Sequence, residues 1–398
     1  MSHAGPVTGH DRVDAATALF ERHLGGAPDG VWSSPGRVNL IGEHTDYNAG
    51  LCLPIALPQR TFAAVRRRDD TLLRMVSDLD GSVVEVDLSE VAPDRPGGWS
   101  AYVAGVPWAL RRAGYAVESG FDVAVTSAVP VGAGLSSSAA LECAMAAAVS
   151  DLAGLGLLAD DDARSALAAA CVDAENTIAQ APTGGMDQSA SMLGQSGHAL
   201  LLDCRDLTHE QVPFDLASAG LALLVVDTRA EHALVDGQYA ERRASCEQAA
   251  QELGVPTLRE VSVKELDSAL TRLSSDLLRK RARHVVTEID RVVSAREALR
   301  RNDFDELGRL FLESHASMRD DFEISVDELD TVVEAAVAAG ALGARMTGGG
   351  FGGSAIALVR ADAVDEVSAA VLEAFSRKGF RAPDPFAVTA ASSAHRDT

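Results

Sequence analysis

Apolar residues recur along this chain in two rhythms, and the way the rhythms alternate sets the first expectation of fold. Intervals of three and four residues predict helices with one buried face. They run from Asp11 to Leu24, closing at Gly25-Gly26, and from about Trp99 to Ala113, where Trp99, Tyr102, Val106 and Leu110 repeat. An Ala-rich helix ends near Val149, and the next begins at Asp160-Asp161-Asp162 and reaches about Gln180, its acids at the positive end of the helix dipole. Later helices are predicted over Gly237–Gly254, Val261–Leu273, Asp276–Asn302, Phe304–Met318, Val326–Ala339 and Asp365–Phe375.

Alternating or continuous apolar runs predict strands. These are Leu51–Val65, Leu72–Leu88 (with Asp80-Gly81 as a hairpin turn), Phe121–Val129, Ala199–Asp203, Leu221–Asp227, Ala355–Val359 and Phe386–Thr389. Residues 1–9 read as an unstructured lead and the last residues as a polar, frayed tail. Hairpins and grouped helices, without steady βα alternation or an internal repeat, predict an α+β chain.

Composition narrows the partners. With 398 residues, 47% of them apolar, the chain is long enough for two domains with substantial cores. A formal net charge of −23 opposes tracking along nucleic acid or binding to an anionic membrane. Any phosphate must therefore be met locally, by oriented amides, one or two arginines and a metal ion. No apolar run reaches the roughly 18 residues of a membrane span, and the N-terminus lacks a signal-peptide layout. Cys52, Cys143, Cys171, Cys204 and Cys246 are scattered and odd in number, which reads as free thiols in a reducing cytoplasm. The ten histidines show no ligand spacing.

Three stretches do not fit a plain scaffold. Ser34 to Gly50 crowds Arg37, Asn39, Glu43, His44, Asp46, Tyr47 and Asn48 around Val38, Leu40 and Ile41. The apolar trio predicts a short buried strand that would hold the polar groups rigid, and Glu43-His44-Thr45-Asp46 suits a polyhydroxylated ligand. Gly132-Ala133-Gly134-Leu135-Ser136-Ser137-Ser138 lies between a strand and a helix. Its glycines permit close approach, and its serines stand beside free amides at a helix start, a phosphate cradle. A glycine-rich turn into a capped helix is the plainer reading. No Walker loop is present. Gly348 to Gly353 matches G-x-G-x-x-G by letter but precedes a strand, so it is no dinucleotide fingerprint. Its backbone must still come close to a ligand or a neighbouring strand. The one His-Arg-Asp, at His395, lies in the tail without the other protein-kinase elements. Alone, Asp187 would be a turn residue and Glu175 a solvated helix residue.

Taken together, Gly36 to Asn48 resembles the galactokinase signature, Gly132 to Ala140 the phosphate-binding motif of the GHMP small-molecule kinases, and Thr347 to Gly353 their third glycine motif. Gly184 to Gln188, Tyr239 to Cys246 and Glu313 to Phe322 extend the resemblance over roughly Leu19 to Phe386. It implies a two-domain GHMP kinase fold, with a ribosomal-protein-S5-domain-2-like domain over 10–213 and a ferredoxin-like plait over 214–390. The active site would lie in the cleft between them. It also implies that Glu43, His44, Thr45, Asp46, Gly184 and Tyr239 bind the sugar, and that Asp187 is the catalytic carboxylate beside its anomeric hydroxyl. Arg37 would neighbour both Asp187 and the transferring phosphoryl group. Gly132, Ala133, Gly134, Leu135, Ser136, Ser137 and Ser138 would wrap the ATP phosphates, Ser77 would lie near the nucleotide, and Ser138 and Glu175 would hold Mg2+. The reaction implied is ATP plus D-galactose to galactose 1-phosphate and ADP, catalysed by a cytoplasmic monomer. Thr183-Gly184-Gly185-Met186-Asp187 departs from the family's Cys-Gly-Ile-Met-Asp yet keeps Asp187 and the glycine three residues before it.

Two rivals stand beside that expectation. One is a GHMP kinase for N-acetylgalactosamine or another sugar, because the space around the second carbon is a matter of shape. The other is a non-catalytic galactose and ATP sensor. Such sensors lack a Ser-Ala pair in the phosphate motif, whereas Ser138-Ala139 is present here.

Overall fold

The computed structural model describes residues 9–230 and 235–398. The lead expected over residues 1–9 falls outside them except for Gly9, which opens the first helix. In the first half the elements are α1 (Gly9–Leu24), β1 (Gly30–Asn39), β2 (Leu51–Cys52), β3 (Pro54–Arg67), β4 (Leu72–Ser77), β5 (Val83–Asp87), α2 (Trp99–Arg112), β6 (Phe121–Ser127), α3 (Ser137–Leu152), α4 (Asp161–Thr177), α5 (Met186–Leu193), β7 (His198–Asp203) and β8 (His209–Pro213). The second half contributes β9 (Leu221–Asp227), α6 (Val235–Leu253), α7 (Leu266–Arg272), α8 (Asp276–Arg300), α9 (Phe304–Ser317), α10 (Asp327–Ala338), β10 (Gly343–Thr347), β11 (Ser354–Arg360), α11 (Val364–Lys378), β12 (Asp384–Val388) and β13 (His395–Arg396). The α+β expectation holds.

A six-stranded sheet in the order β13-β1-β3-β6-β4-β5 forms the first half, with only β4 and β6 parallel. Successive residues of its central strands enter different cores. Trp32, Ala63, Val65, Val123 and Val125 face the core under α2, α3 and α4, while Val31, Phe62, Ala64 and Ala124 face α1. Cover on both faces means that apolar side chains from both sides of these strands are buried. A small three-stranded sheet, β2-β7-β8, lies beside it.

The second half is built on an antiparallel sheet in the order β10-β11-β9-β12. With a helical segment between β9 and β10 and α11 between β11 and β12, this is the split βαβ plait. One face of it, including Leu224, Val226, Ala355 and Ala357, packs on its own helices. The other face, with Leu223, Val225, Ile356 and Leu358, joins Val38, Leu40, Ile41 and Ile55 of the first half in one continuous apolar cluster. The two halves therefore share a core.

The structure corrects three expectations. The strand around Val38 starts earlier, at Gly30, and Leu40 and Ile41 lie just beyond its end. The helix predicted over Val261–Leu273 forms only from Leu266, after a short turn capped by Ser262 and Glu265. The polar tail is ordered. His395 and Arg396 pair with Ser33 and Trp32 at the open edge of β1, while Arg60 holds the carbonyls of Ser392 and Ser393 and Arg164 that of Ala394. An exposed strand edge is an unpaired row of donors and acceptors, and the chain's own end occupies it.

Candidate active site

Residues from both halves surround a cavity of about 300 Å3. The first wall is the end of β1. Between Pro35 and Arg37 the register with β3 slips, a bulge that turns the Arg37 side chain toward the cleft. Arg37 donates from Nε to Asp187 Oδ1 at 2.8 Å and from Nη1 to the Gly134 carbonyl at 2.6 Å. A second guanidinium nitrogen, Nη2, also lies 2.8 Å from Oδ1. Asp187 sits in the first turn of α5, where the helix dipole favours its charge.

The other oxygen of Asp187 is met from the phosphate motif. Ser136 occupies a left-handed conformation at the start of α3, and its hydroxyl donates to Asp187 Oδ2 at 2.6 Å instead of capping the helix. The amides that begin α3 are thus left without a side-chain cap where Ser137 and Ser138 line the cavity. Gly132, Gly134 and Leu135 line it as well, while Ala133 is buried behind them.

After β1 the chain turns through Gly42 to Asp46. Gly42 has a φ of +105°, and a Cβ there would lie 2.6 Å from the Leu51 carbonyl, so only glycine fits. Glu43 is almost wholly enclosed. Its carboxylate accepts from Arg345, from Thr347 Oγ1 at 3.3 Å and from the Gly348 amide at 3.1 Å. Burial raises its pKa even so. His44 is buried, and that burial lowers its imidazole to about 3. Its Nε2 lies 3.1 Å from the Gly349 carbonyl, which can only accept, so Nδ1 accepts from the Tyr47 hydroxyl at 2.8 Å. Asp46 faces Asp187 across the cavity, and burial together with that neighbouring charge pushes it up to about 6.

Not every sequence-predicted residue reaches the cavity. Thr45 is fully buried, and its hydroxyl is committed to the carbonyls of Gly42 and Leu51, so it shapes the turn and does not line the site. Gly184 lies against the Asp46 carboxylate, where any side chain would collide with it. Tyr239, on α6, does line the cavity, and its ring packs 5.2 Å from His44 and 5.5 Å from Tyr47.

Glu175 projects from α4, is buried, and is pushed up to about 7 by that burial and by Asp187. Ser138 and Gln188 both hydrogen-bond it. Gln188 also donates to buried Glu142 at 3.1 Å, and burial carries Glu142 well above its ordinary pKa. Ser77 belongs elsewhere. It lines a second cavity of about 400 Å3 with Leu79, Trp99, Tyr102, Val131 and Leu141, which meets the first at Ser137 and Ser138.

The third glycine stretch closes the site from the second half. Gly348 has a φ of +87°, and a Cβ on it would lie 2.9 Å from the Gly134 carbonyl. Thr347 Oγ1 donates to the Asn39 carbonyl at 2.9 Å, and Ser354 Oγ to the Ala133 carbonyl at 2.7 Å. Its backbone approaches the other two motifs themselves. Arg345, Thr183, Met186 and Gly349 also belong to the site or its frame; sequence reasoning gave none of them a role of its own, and Met186 and Gly349 figured only as members of their motifs. Trp99 and Tyr102 were legible only as a helix face, because a cavity wall and a core contact share the same spacing.

The fold and this site define a GHMP small-molecule kinase. Models of the GHMP kinase N-terminal and C-terminal domains match residues 101–195 and 295–377, and the galactokinase galactose-binding signature matches residues 18–67. The chain is 52% identical to a galactokinase of Streptomyces coelicolor over 95% of its own length and 96% of that protein, and 46% identical to one of Mycobacterium tuberculosis over 88% and 95%. The crystal structure of Lactococcus lactis galactokinase complexed with galactose superposes with a TM-score of 0.91 at 34% identity, covering 96% of this chain and 99% of that one. A mevalonate kinase structure, 18% identical with a TM-score of 0.64, shares the fold over 90% of this chain and 98% of its own. The chain belongs to the galactokinase family.

Proposed function

We propose that the protein transfers the γ-phosphoryl group of ATP to the anomeric hydroxyl of D-galactose. The observation that carries this reading is Asp187, held by Arg37 on one oxygen and Ser136 on the other, where the sugar loop meets the phosphate loop. Asp46, His44, Glu43 and Tyr239 form the sugar end of the cavity. The loop Gly132–Ser138 receives the phosphates, and the aromatic, largely apolar second cavity beside Ser77 receives the nucleoside.

In the transfer the anomeric oxygen forms a bond to the γ-phosphorus and the bond from that phosphorus to the β,γ-bridging oxygen breaks, its electron pair leaving with ADP. The sugar proton passes to Asp187. In a loose transition state that proton leaves late, so a modest base suffices. Arg37 and the first amides of α3 concentrate positive potential where charge develops, local to a chain that is acidic overall.

Ser138 and Glu175 fit a magnesium ion. One hydroxyl and one carboxylate are hard oxygen donors that leave the remaining octahedral positions to water and phosphate, and among the described residues no group of three or more His, Cys, Asp and Glu side chains offers an all-protein cage. When bound, the ion would neutralise phosphate charge. We place the domain boundary at 213/214, with the protein acting as a monomer in the cytoplasm; no helix among the described residues is long and apolar enough to cross a membrane.

The test is ADP release across a panel of sugars with magnesium-ATP. Galactose should be the best acceptor. Equal or better turnover of N-acetylgalactosamine would reassign the substrate, and no turnover of any sugar would favour a sensor.

A further inference from the structure

Beneath the sugar loop lies a second layer of polar groups from the other half of the molecule, and none of it touches the cavity. Glu288 and His284 stand one turn apart on α8, both fully buried. The Gly42 amide donates to Glu288 Oε1 at 2.9 Å, and His284 Nε2 lies 3.2 Å from the Glu43 carbonyl. Helix α8 therefore grips the loop on both sides of Glu43. Each gripping residue is itself fixed. Ser314 Oγ donates to Glu288 Oε1 and Arg291 Nε to Oε2, both at 2.7 Å, while Ser317 Oγ lies 2.9 Å from His284 Nδ1. Burial holds His284 down at about 4, so it is neutral. The Glu43 carbonyl only accepts, which puts the ring hydrogen on Nε2.

A second path runs through rings packed at a tilt. Phe322 lies between the two imidazoles, its centroid 4.4 Å from His284 and 4.9 Å from His44. The grip falls where the backbone is least free to settle by itself, since Gly42 (φ +105°) and His44 (φ +59°) both adopt left-handed angles. Such angles persist only where the surroundings over-determine them.

We propose that His284 and Glu288 are positioning residues for the sugar, setting the angle at which His44 and Asp46 face the cavity while leaving the phosphate loop untouched. The inference rests on the sugar reading given above. It makes the second half of the chain a determinant of sugar affinity as well as a wall of the cleft.

Calorimetric titration with galactose and, separately, with a non-hydrolysable magnesium-ATP analogue tests it. His284→Phe keeps an aromatic ring against Phe322 but removes the donor. It should weaken galactose about tenfold, the size of one hydrogen bond, and leave the nucleotide analogue unchanged. His284→Gln, whose Nε2 reaches the same carbonyl, should recover most of the loss. If His284→Phe does not fold, Ser317→Ala reads the same relation through the ring and should weaken galactose a few-fold. Unchanged galactose affinity in the variant that folds, or equal weakening of galactose and nucleotide, overturns the proposal. Failure of the unsubstituted protein to bind galactose overturns the sugar reading itself, and this inference with it.

Discussion

The Ser136 hydroxyl donates to Asp187 Oδ2 at 2.6 Å, which joins the glycine-serine loop directly to the carboxylate proposed as the base. Arg37 occupies the opposite oxygen, so Asp187 enters the reaction already oriented. Asp187→Asn preserves the shape and removes the base. Turnover should fall by about 10²–10⁴-fold, the range general-base catalysis supplies, with galactose binding still measurable by calorimetry. Near-normal turnover would remove Asp187 from the base role.

Arg37 makes contacts that a lysine cannot copy. Its Nε and Nη2 grip Asp187 while Nη1 reaches the Gly134 carbonyl, a planar fork spanning two loops. Arg37→Lys should lower kcat by about 10²–10³-fold, as loss of a preorganised charge donor does elsewhere, and change the galactose KM far less. A steady-state comparison showing the reverse split would make Arg37 a sugar-binding residue.

Asp46 and Glu175 give the ligand-free protein a pH dependence of stability with a definite sign. Both carboxyls are raised in the fold, to about 6 and about 7 from ordinary values of 3.8 and 4.5. Such groups favour the folded state while protonated. Their contribution is fully present below the ordinary values and is lost as pH rises through about 6 to 7. Asp46→Asn should therefore melt higher than the unsubstituted protein at pH ~8, flatten the decline above pH ~5, and bind galactose poorly. Thermal scans across that range, without nucleotide or metal, check it.

How far the sequence reveals this site depends on whether a role is carried by residue type or by distance in space. The Arg37 to Asp46 stretch and the glycine-serine loop announced themselves, because polar groups crowded around a short apolar run have few other uses. Asp187 and Glu175 read as ordinary turn and helix residues until the family resemblance singled them out, because what distinguishes them is a partner 150 or 13 positions away. Thr45 misleads in the other direction: it has the right chemistry in the right motif, yet its hydroxyl is turned into the fold. Of the architecture, the strands and helices were mostly legible, but the shared core and the tail strand on β1 were not. Both depend on contacts between residues far apart in the chain, which no local pattern encodes.

Gly348 is where those distant pairings become testable. It lies against the phosphate loop in a left-handed conformation, its Cβ position 2.9 Å from the Gly134 carbonyl, and its amide donates to Glu43. Gly132 has a similar angle, +78°, but nothing beyond its own chain neighbours lies within 4 Å of where its Cβ would be. Alanine at either position carries a backbone penalty of about 1–2 kcal/mol. At Gly348 the overpacked contact adds about 1–3 kcal/mol more, because Gly134 is held by Arg37 and cannot simply retreat. Gly348→Ala should thus unfold at clearly lower denaturant than Gly132→Ala, and it should raise the KM for galactose as well as for ATP, since the same peptide anchors Glu43. Equal destabilisation of the two variants would mean that the third glycine stretch yields without disturbing its neighbours, and that its closeness to the phosphate loop carries no energetic weight.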